Sequence, residues 1–210
     1  VSGVWPLAVG SLDGLIALRQ GMCQVAGAHL LGSDNEYNSA YVRHLFPGQQ
    51  MLLLTLSNRE QGLMVMPGNP KQIASLADLA RPDVVFVNRQ PGAGTRVWLA
   101  QALHAAGLAE TAVAGFNHTV TTHQAVATAV AGGQADVGVG VLAAARDAGL
   151  DFVPLFAERY DLIVPRQAAT ENESLRPLLD HLQSKDCRQT IRAFAGYSAI
   201  HTGEARTVGD

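Results

Sequence analysis

A glycine-rich loop that carries two arginines is the segment of this sequence best suited to chemistry. It reads Asn-Arg-Gln-Pro-Gly-Ala-Gly-Thr-Arg over residues 88–96, after the apolar run 84–87 and before a helical pattern that Gly107 ends. A loop of this kind leaves backbone N–H groups unpaired at a helix N-terminus, where the helix dipole favours an anion. Two arginines add forked, charged donors suited to an oxyanion. The loop predicts ligand contacts from Arg89, Gly92, Gly94, Thr95 and Arg96.

One other interpretation of this loop competes with anion binding, namely a tight strand-to-helix turn with solvated arginines. Thr95 could cap the helix or donate its hydroxyl to a ligand. The segment is not a nucleotide-phosphate loop, since the Gly-x4-Gly-Lys-Ser/Thr pattern is absent, and its glycine spacing misses the dinucleotide fingerprint. We favour anion binding.

Gly10-Ser11-Leu12-Asp13 repeats this arrangement near the start of the chain. Ser11 is expected to cap the following helix and to leave N–H groups facing a ligand; the alternative is a plain N-cap. Asp13 falls in the first turn, where a carboxylate compensates the dipole and would repel an anion.

Four further polar residues are candidate ligand contacts: His29, at the end of a predicted strand over 24–29, Tyr37 and Asn38 in the polar loop that follows, and His123 near the start of a predicted helix over 122–131. Ligands of open α/β sheets bind outside the carboxyl ends of the strands. The alternative for each histidine is a structural hydrogen bond.

Arg59-Glu60 and Glu158-Arg159 are expected where the chain crosses between two lobes. Two crossing strands would bring these charges together, so mutual ion pairing is the favoured interpretation. Tyr160, next to them, is a further candidate ligand contact.

Strand, glycine-rich turn and helix recur along the chain, which predicts a mostly parallel sheet with helices on both faces. The predicted strands include 5–9, 51–56, 84–87, 137–141, 151–155 and 161–164, and helices are expected over 12–20, 94–106, 122–131 and within 175–194, with a short capped one over 75–80. The stretches 17–27 and 129–140 share one layout, a helix end, a glycine stop and a strand of small residues, which favours two similar lobes over one sheet.

Composition excludes several classes of protein. The net charge is -3, and the fifteen Lys and Arg are scattered, so no basic surface for nucleic acid is predicted. Cys23 and Cys187 lie far apart and are interpreted as free thiols, which favours a reducing compartment. No clustered Cys and His predict a metal site, no run is apolar enough to span a membrane, and the first residues do not form a signal peptide.

Several of the less common polar stretches resemble one family. The chain resembles the periplasmic-binding-protein-like domain of helix-turn-helix regulators and of some molybdopterin-synthesis proteins and, more distantly, LysR-type effector domains and molybdate- or tungstate-binding transport proteins. The matching stretches are 9–15, 28–30, 36–38, 59–63, 67–71, 88–96, 122–123, 135–138 and 158–161.

This resemblance implies a type II periplasmic-binding-protein-like α/β fold, with two lobes and a ligand cleft between them. Residues 1–58 and 161–210 are assigned to lobe I, and residues 62–157 to lobe II. The family usually has a further strand and helix before the motif at 9–15. Lobe I is therefore expected to lack them, and to expose an edge that invites pairing with another chain.

The leading hypothesis for function is a sensor: a small oxyanion, molybdate or tungstate by resemblance, binds the effector domain of a transcriptional regulator. A pterin-phosphate precursor is an alternative ligand. The alternative roles are a solute-binding receptor of an ABC transporter for the same class of oxyanion, and a ligand-binding domain attached to a molybdopterin-synthesis enzyme.

Catalysis is not expected. Ser11, His29, His123 and Asp136 could be combined into a triad, but the Gly-x-Ser-x-Gly elbow and paired carboxylates are both absent. No cofactor and no metal are expected. The expected partner is a small anion, with DNA contacted only by an attached domain, no membrane contact, and homodimerisation left open. A cytoplasmic location is expected, or a periplasmic one if a signal peptide precedes residue 1.

Overall fold

Residues 3–209 are described by the structure, a computed structural model, and form eight α-helices and eight strands. Three short 3₁₀ helices cover Leu76–Ala80, Glu110–Ala112 and Glu173–Leu175. The other elements are α1 (Ser11–Arg19), β1 (Ala26–Ala28), α2 (Ser39–Leu45), β2 (Met51–Val65), β3 (Phe86–Arg89), α3 (Gly94–Ala105), β4 (Thr119–Val120), α4 (His123–Ala131), β5 (Val137–Val141), α5 (Leu142–Asp147), β6 (Asp151–Pro165), α6 (Arg166–Glu171), α7 (Arg176–Gln183), α8 (Lys185–Arg192), β7 (Tyr197–Ser198) and β8 (Ala205–Val208).

The chain divides into two units, and the strands β2 and β6 each run from one into the other. Unit 1 comprises Val1–Arg59 and Glu158–Asp210, and unit 2 comprises Glu60–Ala157. Residues 1, 2 and 210, which the sequence analysis assigns to lobe I, lie outside the described residues.

In unit 1, β1 pairs with β6, and β7 and β8 pair with β2, all antiparallel. The helix α1 packs on β1, and α7 packs on α8. One apolar cluster contains buried residues of β2, β6 and the C-terminal segment 175–199: Leu54, Val164, Leu175, Leu182, Cys187, Ile191 and Ala199. Cys23 and Cys187 are free, and burial raises the pKa of each thiol.

In unit 2, β5 pairs antiparallel with β2 and parallel with β3, which in turn pairs parallel with β4. The helix α4 packs on β3 and β5. Phe86, Leu99, Leu103 and Val137 belong to its apolar core, and Trp98 packs against this core from the side. The rings of Trp98 and Phe156 stack with their centroids 3.7 Å apart.

Local signals placed several elements correctly. The helix α3 begins at Gly94, as expected, and ends before Gly107, whose φ of +70° suits a residue without a side chain. The predicted short helix after residue 75 is the 3₁₀ helix Leu76–Ala80, which starts with a capping box between Ser75 and Asp78.

Three expectations about the strands were wrong. Residues 5–9 form no strand, and the side chains of Trp5 and Leu7 are 93% and 82% exposed. The segments 151–155 and 161–164 are parts of one strand, β6, since polar residues in its middle do not interrupt it. The pairing is mixed rather than mostly parallel, because the two long strands meet their neighbours antiparallel.

Candidate functional site

The glycine-rich loop of unit 2 leads into a helix whose N-terminus no side chain caps. Ala93 is the N-cap residue of α3, and Gly92 before it has a φ of +79°. Gly94 and Thr95 begin the helix and are buried. Intrahelical carbonyls cannot satisfy the first N–H groups of a helix, so buried donors remain at this end of α3. A small anion is the ligand that such an end favours.

Thr95 does not cap α3, which excludes one of its two predicted roles, and its hydroxyl is paired within the protein. Its Oγ1 donates a hydrogen bond to Oε1 of Gln61, 3.0 Å away, and both side chains are buried. Gln61 was not foreseen as part of this region. It stands in a polar stretch of β2, and its sequence context carries no signal of burial.

The two arginines of the loop are both anchored to the protein. Arg89 is buried and donates from a terminal nitrogen to the carbonyl of Thr121, 2.9 Å away. The guanidinium of Arg96 lies 4.8 Å from the ring centroid of Phe116 and donates to the carbonyl of Arg89 at 3.3 Å. The arginines therefore support the loop as well as bringing positive charge to it.

His123 is the first residue of α4, after Thr122, whose side chain caps the helix by accepting from the N–H of Ala125. It is therefore at a helix N-terminus, as expected. The glycine-rich loop lies close by, since the N–H of Gln90 bonds to the carbonyl of Val120 at 3.1 Å.

In unit 1 the structure brings His29 and Tyr160 together around a carboxylate. Nδ1 of His29 lies 2.5 Å from Oε2 of Glu158, and the imidazole stacks on the ring of Tyr160 with centroids 5.6 Å apart. Arg59 pairs with the other oxygen of Glu158 and lies 4.4 Å over the Tyr160 ring. The expected ion pairing between the charges near residues 59 and 158 is thus confirmed for Arg59 and Glu158.

Burial and charge act against each other within this cluster. Burial alone would lower the pKa of Arg59, but the Coulombic attraction of Glu158 and the hydrogen bond to it outweigh this effect and raise the pKa. Burial, together with the negative charge of Glu158, raises the pKa of Tyr37 to about 12, although Arg159 opposes the shift. The phenol of Tyr37 is therefore held neutral.

Gly27 makes room for Tyr160. A Cβ added to Gly27 would overlap the phenol oxygen of Tyr160, so a side chain at position 27 would displace the ring. Ser11, the first residue of α1, is buried, and its Oγ accepts from the N–H of His29 at 3.4 Å. It does not cap α1, whose N-cap residue is Gly10; this corrects the expected role of Ser11.

Asn38 has a structural role in unit 1. It is fully buried with a φ of +67°, and its Oδ1 accepts from the N–H of Leu30 at 2.8 Å. Its Nδ2 donates to the carbonyl of Ala28 at 3.1 Å and to Oδ2 of Asp161 at 2.9 Å. Both amide donors are used by the protein, so we do not retain Asn38 as a ligand contact.

A second buried carboxylate, Asp161, was missed by sequence reasoning. It is fully buried and accepts from Thr55 Oγ1 and from Arg206, each at 3.0 Å, as well as from Asn38. In the sequence, Asp161 is marked only as a carboxylate within a β-strand pattern. That pattern does not identify its hydrogen-bond partners, which lie 45 to 123 residues away.

Among residues 3–209, no group of three or more His, Cys, Asp or Glu is arranged to hold a metal ion. In the same part of the chain, the helices fall short of the length and apolarity needed to cross a membrane.

Residues 4–183 match the model of the PBP superfamily domain. The chain belongs to this superfamily. It is 36% identical over 196 residues to the uncharacterized protein YvgK of Bacillus subtilis, a match that covers 93% of this chain and 63% of that protein. The chain thus spans less than two thirds of the length of this relative.

Solved structures share the fold at low sequence identity. A proposed phosphate ABC transporter substrate-binding protein from Clostridium perfringens, with bound phosphate, matches with a TM-score of 0.62 and 14% identity over 88% of this chain and 83% of that one. An ABC-type phosphate transport receptor from Vibrio cholerae matches with a TM-score of 0.56 and 16% identity over 90% and 85%. The chain is a ligand-binding domain with the type II periplasmic-binding-protein-like fold that the sequence predicted.

Proposed function

We propose that this chain is the solute-binding receptor domain for a small oxyanion. The observation that carries the proposal is the N-terminus of α3, where Gly94 and Thr95 are buried and no side chain caps the helix. Burying backbone N–H groups without partners is costly, and a bound anion would remove that cost. The buried guanidinium of Arg89, in the same loop, adds a positive charge.

A receptor is favoured over the effector domain of a regulator because the solved structures with the same fold include transport receptors for phosphate. In unit 1, His29 and Tyr160 remain the proposed ligand contacts. In unit 2, the proposed contacts are Arg89, Gly92, Gly94 and Thr95, with Arg96 and His123 next to them.

The test is a thermal-shift screen of phosphate, sulfate, molybdate and tungstate, followed by calorimetric titration of any anion that raises the Tm. An anion at one hundred times its Kd stabilises the folded protein by about 2.7 kcal/mol. The proposal is overturned if none of the four anions raises the Tm, or if none of those that do binds in the titration.

Gly94→Val locates the site. The added side chain would occupy the approach to the N–H groups of α3, so we expect anion binding to be lost while the far-ultraviolet circular dichroism stays unchanged. The matched control is Gly132→Val in the same unit, at the exposed end of α4, which should bind like the wild type. Wild-type affinity in Gly94→Val would rule out the α3 site.

A further inference from the structure

The hydroxyl of Thr95 has already used its proton within unit 2. Its Oγ1 donates to Oε1 of Gln61, 3.0 Å away. A hydroxyl has one proton and two lone pairs, so any further partner of this oxygen must donate to it. Among residues 3–209, no group donates to Oγ1 of Thr95. The oxygen can therefore accept a hydrogen bond from a ligand, but it cannot donate one without leaving Gln61.

The hydrogen bond between Thr95 and Gln61 is shielded from water. Gln61 is 0% exposed and Thr95 is 1% exposed, so water does not compete for the hydroxyl proton. The backbone of Gln61 is fixed within β2 by its pairing with Val141 of β5. Turning the proton towards a ligand would break a buried hydrogen bond, which is costly.

This acceptor lies at the N-terminus of α3. Thr95 is the second residue of the helix, which no side chain caps. Its Oγ1 is only three covalent bonds from its own backbone nitrogen. A tetrahedral anion that accepts from the N–H of Gly94 or Thr95 can therefore place another oxygen against the hydroxyl. This end of α3 combines several donors with one acceptor.

An acceptor among donors distinguishes oxyanions by the protons that they carry. Sulfate, molybdate and tungstate have none at neutral pH, so an oxygen of these anions next to Oγ1 of Thr95 would face a lone pair. Hydrogen phosphate has one P–OH group, which can donate to Oγ1 while its other oxygens accept from the N–H groups of α3. A buried polar group left without its partner discriminates strongly between ligands of the same shape.

We propose that the oxyanion site at α3 selects an anion that carries a proton, of the hydrogen phosphate type. Thr95 is the ligand contact, and Gln61 is a positioning residue that sets the selectivity because it holds the hydroxyl as an acceptor. The proton stays on the ligand, and no covalent bond changes. This inference rests on the proposed function and concerns residues of unit 2 alone.

Three anions test the selectivity without any substitution. Monofluorophosphate keeps the tetrahedral phosphorus and the double negative charge of hydrogen phosphate, but it has fluorine in place of the O–H group. In calorimetric titrations of the wild type at pH 7.5, phosphate should bind about tenfold more tightly, or better, than sulfate and monofluorophosphate. Equal affinity for phosphate and monofluorophosphate would overturn the proposal.

Gln61→Met tests the positioning role. The substitution removes the acceptor at similar volume and frees the hydroxyl of Thr95 to donate to an anion. We expect the preference for phosphate over sulfate to fall about tenfold, mainly because sulfate binds more tightly. The matched control is Gln101→Met, at an exposed glutamine on α3 itself, which should keep the wild-type preference. An unchanged preference in Gln61→Met would contradict the role of Gln61.

Thr95→Val provides a second test if Gln61→Met does not fold. Valine keeps the volume but has no lone pair for the P–OH group, so phosphate should lose about tenfold in affinity while sulfate loses little. Equal losses for both anions would reduce Thr95 to a structural role and overturn the proposal. Circular dichroism and thermal melts establish which variants fold.

The outcomes separate this inference from the proposed function. If none of the anions binds the wild type, the proposed function fails and the inference falls with it. If sulfate or monofluorophosphate binds as tightly as phosphate, the selectivity for a protonated anion is wrong and the oxyanion receptor stands.

Discussion

Units 1 and 2 bury polar groups in different ways. In unit 1 the carboxylates Glu158 and Asp161 are buried, each in contact with at least one arginine. In the described part of unit 2, the buried polar side chains are Gln61, Asn88, Thr95 and the charged Arg89, with no buried carboxylate. Both units bury the uncapped N-terminus of a helix, α1 in unit 1 and α3 in unit 2, and only in unit 2 does a buried arginine without a buried carboxylate accompany it.

Unit 1 therefore contains buried ion pairs built on two carboxylates, whereas the buried charge of unit 2 is the guanidinium of Arg89. A buried carboxylate has a high desolvation cost, and its partners must stay in place to offset it. The ion pairs of unit 1 therefore fix the geometry around His29, whereas in unit 2 no buried carboxylate among the described residues opposes an anion at the N-terminus of α3. The four predictions below test this comparison, from the largest expected effect to the smallest.

Asp161→Asn is expected to have the largest effect, because it keeps the shape of the side chain but removes the charge that Arg206 and Arg159 contact. Breaking a buried ion pair from one side costs about 3–5 kcal/mol of unfolding free energy, and the partial exposure of both arginines places this case at about 3. The matched control in unit 2, Asp136→Asn, affects a half-buried carboxylate and should cost about 1 kcal/mol. Urea denaturation measures both, and equal losses would remove the contrast between the units.

Thr95→Val tests whether neutral polar groups stabilise unit 2. The substitution keeps the volume but removes the hydroxyl that donates to Gln61, so we expect a loss of about 1–2 kcal/mol in the free energy of unfolding. Thr95→Ser retains the donor and should recover most of the hydrogen-bond energy. A Thr95→Ser variant less stable than Thr95→Val would contradict this role.

Asp78→Ala removes the capping box of the 3₁₀ helix in unit 2 and should cost about 1 kcal/mol. Hydrogen bonds from the N–H groups of Ala74 and Ser75 and the nearby Arg81 lower the pKa of Asp78 against the effect of burial. Because the pKa of Asp78 is lower in the folded protein, the ionised carboxylate stabilises the fold above pH 3.8, the pKa of the unfolded chain. This stabilisation is lost as the pH falls through the folded pKa. Thermal melts between pH 2 and 7 should therefore show a smaller acid loss in Asp78→Ala than in the wild type.

Tyr37→Phe is the mildest change. Because the folded pKa is raised to about 12, the stabilisation by neutral Tyr37 is complete below the unfolded value of 10 and is lost as the pH rises to 12. The phenyl ring of the variant cannot ionise, so the variant should lose less stability than the wild type between pH 10 and 12. Parallel alkaline slopes in urea denaturation would show that Tyr37 does not contribute.

Short signals in the sequence were enough to predict many elements, whereas the fold class followed from the family resemblance. The run of apolar residues before 88 and the glycines at 92, 94 and 107 placed β3, the loop and α3 because each signal acts over a few residues. The length of β2 could not be predicted in the same way. Its middle reads Ser-Asn-Arg-Glu-Gln-Gly over 57–62, which is typical of a loop, and only pairing with distant strands makes it extended.

The candidate site was predictable in its residue types but not in its contacts. His29 and Tyr160 were singled out separately, and Glu158 was expected only as an ion-pair partner. That Glu158 contacts both His29 and Arg59 follows from the antiparallel pairing of Ala28 with Asp161, 133 residues further along the chain. Asn38 was misjudged because a polar loop residue and a buried structural amide look the same in sequence.

The stacked pair of Trp98 and Phe156 gives unit 2 an optical probe of its own. The protein has two tryptophans, and the other, Trp5, belongs to unit 1 and is almost fully exposed. Indole emission depends on contact with water, so Trp5 should emit at long wavelength and Trp98, packed against the apolar core, at a shorter one. With Trp5 replaced by phenylalanine, the fluorescence of the whole chain would report on α3, the helix that begins at the proposed oxyanion site.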